Sequence, residues 1–142
     1  MLRGCLLVAA IVLVLVILLM AKCGYSLYHM STTELPVADA AVRKLIDLYD
    51  RDDYRDFYAM CDDDWANSIP LEKTTTKLQA LKRMTGKVTI LERTGYFLNQ
   101  VNAQSYMRLN YRCSGEYGET QLTIELHQQG GWKIRNVNFN PR

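Results

Sequence analysis

The chain has 142 residues, with 17 Lys or Arg and 15 Asp or Glu side chains, so its formal net charge is +2. Arg3 and Lys22 both precede the first acidic residue, Glu34, which leaves the remainder of the chain neutral. A neutral remainder gives no electrostatic basis for binding nucleic acid, and the length leaves room for one small domain. We therefore exclude a nucleic-acid partner.

The first predicted element is the uncharged, apolar run over residues 4–21. A helix of this length, rising roughly 1.5 Å per residue, just crosses a hydrocarbon core of about 30 Å. Arg3 and the N-terminal amine lie before the run and Lys22 alone lies after it, and this charge bias favours a cytoplasmic N-terminus. The run therefore predicts a single-pass anchor in the inner (cytoplasmic) membrane, with the domain on the periplasmic or extracellular side.

Two other fates of this segment stay open. Cleavage as a signal peptide near Cys23 or Ser26 would release a secreted domain. Lipidation at Cys23 is disfavoured, because Lys22 stands where a lipoprotein signal needs a small residue. The predicted organisation is an anchor or uncleaved signal over residues 1–22, an irregular tether over 23–35 and an α+β domain over 36–142.

Three helices are predicted after the tether. Residues 37–50 and 54–65 each place apolar side chains on one face, and residues 70–86 begin with Pro70 and end at Gly86. The acidic run Asp62–Asp64 opposes the helix dipole at a C-terminus, so we expect the second helix to stop there with a solvated acidic face.

From residue 87 onward the apolar period changes to two, which predicts four strands. A phase slip near Gly95 and another in the last strand predict bulges, and Gly130-Gly131 predicts a hairpin turn. The fold class is therefore α+β, with three helices packed on a curved four-stranded antiparallel meander. The aromatic face of the second helix is the expected cover of the sheet.

This element order resembles the nuclear transport factor 2-like superfamily, whose domains are cone-shaped α+β folds. The resemblance rests on the helix pattern Ala40–Tyr54, the bulged meander and the closing Gly131-Trp132-Lys133-Ile134. The superfamily contains dehydratases and isomerases as well as non-enzymatic binding and assembly modules. It implies a small exported or anchored domain and does not choose among these functions.

The domain contains two cysteines, Cys61 and Cys113. In an exported chain they are expected either to form a disulfide or to remain as two separately buried thiols. The sequence has no Cys-x-x-Cys and no Cys/His cluster, so it predicts no metal site.

No catalytic motif and no cofactor-binding motif is present, and we predict neither catalytic nor cofactor-binding residues. The single domain histidine, His127, is expected to face away from the core. Two sites are considered: a pocket lining, with plain core packing as its alternative, and an interface on the open sheet face for a protein partner or a second copy. The predicted pocket comprises Tyr54, Tyr58, Trp65 and Tyr111, and the interface comprises Tyr106, Arg108, Asn110, Arg112 and Glu125, with Thr123 and Arg135 beside them.

The sequence therefore predicts a membrane-anchored, non-enzymatic interaction or assembly module. The alternative is a secreted or anchored module that binds a small molecule or lipid. A cone-pocket isomerase or dehydratase is the third reading, and it is less favoured than either.

Overall fold

The computed structural model describes residues 2–102 and 104–141, except for the side chains of residues 2–10, 26, 27, 30 and 31. The chain divides into two compact units, Met1–Val37 and Ala38–Arg142. The first unit contains helix α1, Leu2–His29, and the π-helical segment Met30–Glu34.

The segment predicted to be an irregular tether, 23–35, is helical. The Thr32 hydroxyl donates a hydrogen bond to the Tyr28 carbonyl four residues earlier, at 2.8 Å, so the side chain satisfies a helical carbonyl. The predicted anchor, 4–21, lies partly outside the described side chains. Among the described residues, no helix is both long enough and apolar enough to span a membrane.

Four further helices precede the sheet: α2, Leu35–Asp50; α3, Tyr54–Ala59; α4, Asp63–Ser68; and α5, Leu71–Thr85. The predicted second helix, 54–65, is therefore wrong as one element. Between α3 and α4 the chain pairs with the last strand: the Asp62 amide donates to the Ile134 carbonyl at 2.8 Å, and the Ile134 amide donates to the Met60 carbonyl at 2.9 Å. These long-range bonds break the helix, because the same backbone groups cannot also bond within it.

The sheet is an antiparallel meander in the order β1-β2-β3-β4. Irregular register occurs between Arg93 and Gly95 on β1, and beside Arg135 on β4, as the phase slips predicted. Gly131 adopts a φ of 149°, which a side chain would disfavour. The α+β class and the four-stranded meander are confirmed, with strand bounds Val88–Val101, Gln104–Gly115, Gly118–Gln128 and Trp132–Pro141.

The inner face of the sheet packs against the helices. The Tyr49 ring of α2 stacks on Phe139 with 5.2 Å between centroids, and the Tyr49 and Thr85 hydroxyls hydrogen-bond at 2.9 Å. Large side chains with almost no exposed surface fill this space, including Tyr49, Tyr111, Phe57, Leu45, Leu78, Leu109, Leu122, Ile124 and Leu126. The interior of the described domain is therefore a packed core.

Cys61 and Cys113 are free and buried, so the alternative of two separately buried thiols is confirmed and the possible disulfide is wrong. Cys61 bridges to Ile134 on β4, and that part of β4 lies across β3 from Met107 on β2. Cys113 lies six residues further along β2. The separation along the strand alone is about 20 Å at the usual rise per residue, far beyond disulfide reach.

We expect both buried thiols to resist alkylation in the native protein. Burial raises the pKa of Cys61 to about 12 and that of Cys113 to about 11, so neither forms the reactive thiolate at neutral pH. Cys23 is exposed and should react. In a variant with Cys5 replaced by Ser, intact mass after alkylation without reductant should show two more additions for the denatured protein than for the native protein. Equal labelling of the native and denatured protein would indicate a disulfide.

Candidate functional site: the outer face of the sheet

The outer face is the sheet surface opposite the helices, and its side chains are paired across strands. The Arg108 guanidinium donates through Nε at 2.9 Å and through a terminal nitrogen at 2.6 Å to one carboxylate oxygen of Glu125. Arg112 lies 3.0 Å from Glu92 on β1. The alternation that puts these residues on one face follows from the strand period of two.

Tyr106 is held between two other side chains of this face. Its ring stacks on His127 with 4.5 Å between centroids, and the Arg135 guanidinium lies 4.9 Å from the Tyr106 centroid. Arg135 also lies 3.4 Å from Asp64. Because Arg135 sits at the irregular position of β4, the bulge turns this cation over the ring.

A shallow groove of about 370 Å³ runs over this face. Phe97 is the most exposed large apolar side chain in its wall, at 61%, and Val101 is 46% exposed. The Arg108–Glu125 ion pair and the stacked Tyr106 also line the groove. The lining residues are Phe97, Asn99, Val101, Tyr106, Met107, Arg108, Glu125 and Arg135.

The structure brings the predicted interface residues together on one surface. They are Tyr106, Arg108, Asn110, Arg112 and Glu125, and the Thr123 hydroxyl joins them by donating to the Asn110 side chain at 2.9 Å. Sequence reasoning missed Phe97 and Val101. Their signal was the phase slip at Gly95, which moves the odd-numbered residues after it onto the outer face.

The predicted pocket residues have separate surroundings. Trp65 is buried and donates through Nε1 to the Thr74 hydroxyl at 2.9 Å, and the Tyr58 hydroxyl donates to the Ala66 carbonyl at 3.1 Å. The Tyr111 hydroxyl donates to Asp39, and burial raises the pKa of Tyr111. Tyr54, the first residue of α3, is buried and donates through its hydroxyl to Asp52 at 2.5 Å. The alternative of plain core packing therefore describes Tyr54, Trp65 and Tyr111, which are buried, whereas Tyr58 is half-buried.

His127 projects from the outer face, as predicted, yet it is buried beneath Tyr106. Its Nδ1 lies 3.4 Å from Oδ2 of Asp62, which is also fully buried. Oδ1 of Asp62 accepts the Trp65 amide at 2.8 Å and so caps α4. The pair joins α4 to the sheet. Among the described residues, no three His, Cys, Asp or Glu side chains form a group that could hold a metal ion.

Thirty-four chains of known structure resemble this one. One, from Streptomyces avermitilis, is described as a candidate dehydratase from the NTF2-like family, where NTF2 is nuclear transport factor 2. It matches with a TM-score of 0.52 and 10% identity over 79% of this chain and 98% of that chain. The fold is NTF2-like.

That likeness establishes the fold alone, and NTF2-like folds serve both as enzymes and as binding modules. No family model matches the sequence, and no curated protein matches it. The functional argument therefore rests on the side chains of this chain.

Proposed function

We propose that this protein is a non-enzymatic interaction module that binds a partner protein through its outer face. In this proposal the apolar run 4–21 anchors the domain on the periplasmic or extracellular side of the inner membrane. The observation that carries the proposal is the groove on that face, with Phe97 exposed in its wall beside paired charges.

The packed inner face supports a role outside the cone. A cone-pocket enzyme needs an acid or base beside a space that a substrate can occupy. Here Tyr49, Phe57 and Tyr111 are each at most 1% exposed and occupy the space between the helices and the sheet. The same packing disfavours the alternative of a small molecule or lipid held inside the cone.

The composition of the outer face favours a protein partner. Protein interfaces are enriched in Tyr, Phe and Arg, and a few such residues usually carry most of the binding energy. Phe97, Tyr106, Arg108 and Arg135 meet in one groove. Ion pairs with Glu125 on β3 and Asp64 on α4 hold Arg108 and Arg135 in place, which lowers the entropy lost when a partner binds.

The sequence of the first unit supports the proposed location. The uncharged run with a basic residue on each side is the pattern of a single-pass segment, and the remainder of the chain has no net positive charge that would hold it at a membrane. An impermeant maleimide should label Cys23 in intact spheroplasts, and the protein should remain in the membrane pellet. Labelling only after lysis would contradict the orientation, and recovery in the soluble fraction would indicate cleavage.

Photocrosslinking in cells tests the binding face. A photoreactive amino acid in place of Asn136, an exposed outer-face residue opposite Glu125, should give one discrete adduct with a different protein. The matched control position is Thr76, which is exposed on α5. Absence of an adduct at Asn136, or the same adduct at Thr76, would contradict the proposal.

A further inference from the structure

Strand β1 lies at the edge of the sheet and has a strand neighbour on one side only among the described residues. Natural proteins protect such edges with charges, proline or bulges. The first half of β1 has these devices: irregular register, Glu92, and Arg93 paired with Asp39. The second half, 94–101, has no charged residue and no proline over eight positions.

The same strand carries most of the exposed apolar surface of its unit. Seven large apolar side chains of Ala38–Arg142 are exposed among the described residues, and four of them lie on β1: Leu91, Tyr96, Phe97 and Val101. The other three are divided between α5 and the β2–β3 turn. An uncharged, unprotected edge with apolar residues on both faces is suited to pairing with another strand.

We infer that β1 pairs antiparallel with β1 of a second copy, about a twofold axis through Phe97. The product is a closed dimer with one continuous eight-stranded sheet. Its interface is isologous, because each copy offers the same edge. This inference stands on the edge strand and does not depend on the proposed partner protein.

A second copy is the favoured occupant because its own β1 is also an edge strand whose second half is uncharged and carries exposed apolar side chains. The axis at Phe97 sets the most exposed side chain of the strand, at 61%, against its counterpart. Tyr96 then lies opposite Leu98, and Arg93 lies opposite Val101. No like charges meet in this register, and apolar cross-strand pairs stabilise a sheet.

The symmetry has a consequence for the outer face. An axis perpendicular to the sheet keeps both outer faces on the same side. The dimer therefore carries its two grooves on one continuous surface, which would let a partner with two binding segments engage both.

Disulfide trapping tests the register in the full-length protein. In a background with Cys5 and Cys23 replaced by Ser, Phe97→Cys places two thiols across the axis, where facing residues are about 4.5–5.5 Å apart at Cα, within disulfide range. Mild oxidation should give a reducible dimer on a non-reducing gel. Val101→Cys is the matched control, because its two copies would be about 27 Å apart along the strands.

Equal trapping of both variants, or none with Phe97→Cys, would overturn the inference. Sedimentation of the full-length protein in detergent gives an independent result: a dimer is expected, Phe97→Lys should yield monomer, and Tyr117→Lys, in the exposed β2–β3 turn, should remain dimeric. A dimer unaffected by Phe97→Lys, or an open-ended polymer, would also overturn it. Photocrosslinking at Asn136 detects a different protein on the outer face, whereas disulfide trapping and sedimentation detect a second copy at the β1 edge. The proposed function and this inference can therefore fail independently.

Discussion

Replacing Asp62 with alanine should lower the free energy of unfolding by about 3 kcal/mol. Loss of the N-cap to the Trp65 amide accounts for about 1 kcal/mol, and loss of the polar contact between the buried carboxylate and the His127 imidazole, 3.4 Å away, accounts for about 2 kcal/mol. That sum is a large fraction of the stability of an ordinary domain, which is about 5–15 kcal/mol.

Guanidinium unfolding of the full-length protein, followed by fluorescence of Trp65 and Trp132, measures this change. Asp62→Asn should lose less than Asp62→Ala, because asparagine is also a strong N-cap. Asp63→Ala is the matched control: Asp63 adjoins Asp62 but is exposed, so its loss should stay within about 0.5 kcal/mol. Equal effects at Asp62 and Asp63 would show that the buried pair contributes nothing.

Replacing Trp65 with alanine should cost about 4 kcal/mol, as expected for truncating a buried tryptophan. Trp65 is 5% exposed, and removing it also leaves the Thr74 hydroxyl without its donor. The prediction separates a core residue from a pocket-lining one, because a residue facing an open pocket loses little packing when it is truncated.

Circular dichroism during guanidinium unfolding is the appropriate measurement, since the substitution removes a fluorophore. Tyr58→Ala is the comparison: Tyr58 is half-buried and its hydroxyl bonds only to the Ala66 carbonyl at 3.1 Å, so we expect about 1 kcal/mol. A loss below about 1.5 kcal/mol for Trp65→Ala would contradict the packed interior.

The spacing of apolar residues along the chain predicted the helices, strands and bulges that depend on neighbouring residues. The apolar spacing of α2 and α5, the period-two strands and the bulges near Gly95 and in β4 are all present. The outer-face residues of β2 and β3 followed from the same alternation. These features depend on the hydrophobic period and on backbone geometry, both of which can be read from consecutive residues.

The errors share a different cause, which is contact between distant parts of the chain. Asp62 reads as one of three solvated acids, but its amide bonds to Ile134 and its carboxylate faces His127. Only the completed sheet creates those neighbours, and they also split the predicted second helix. Compartment and number left a Cys61–Cys113 disulfide open as one alternative, whereas strand order separates the two thiols. The groove also depends on the pairing of β1 with β2, which sets Phe97 opposite Arg108.

The central claim is that this domain acts through its outer face, and native co-isolation of the full-length protein with charge variants tests it most directly. Arg108→Glu should abolish recovery of the partner, whereas Lys73→Glu on the exposed side of α5 should leave it unchanged. The double variant Arg108→Glu/Glu125→Arg restores an ion pair within the sheet with reversed polarity. It should regain stability without regaining the partner. Recovery of the same partner with Arg108→Glu, or its equal loss with Lys73→Glu, would contradict the account.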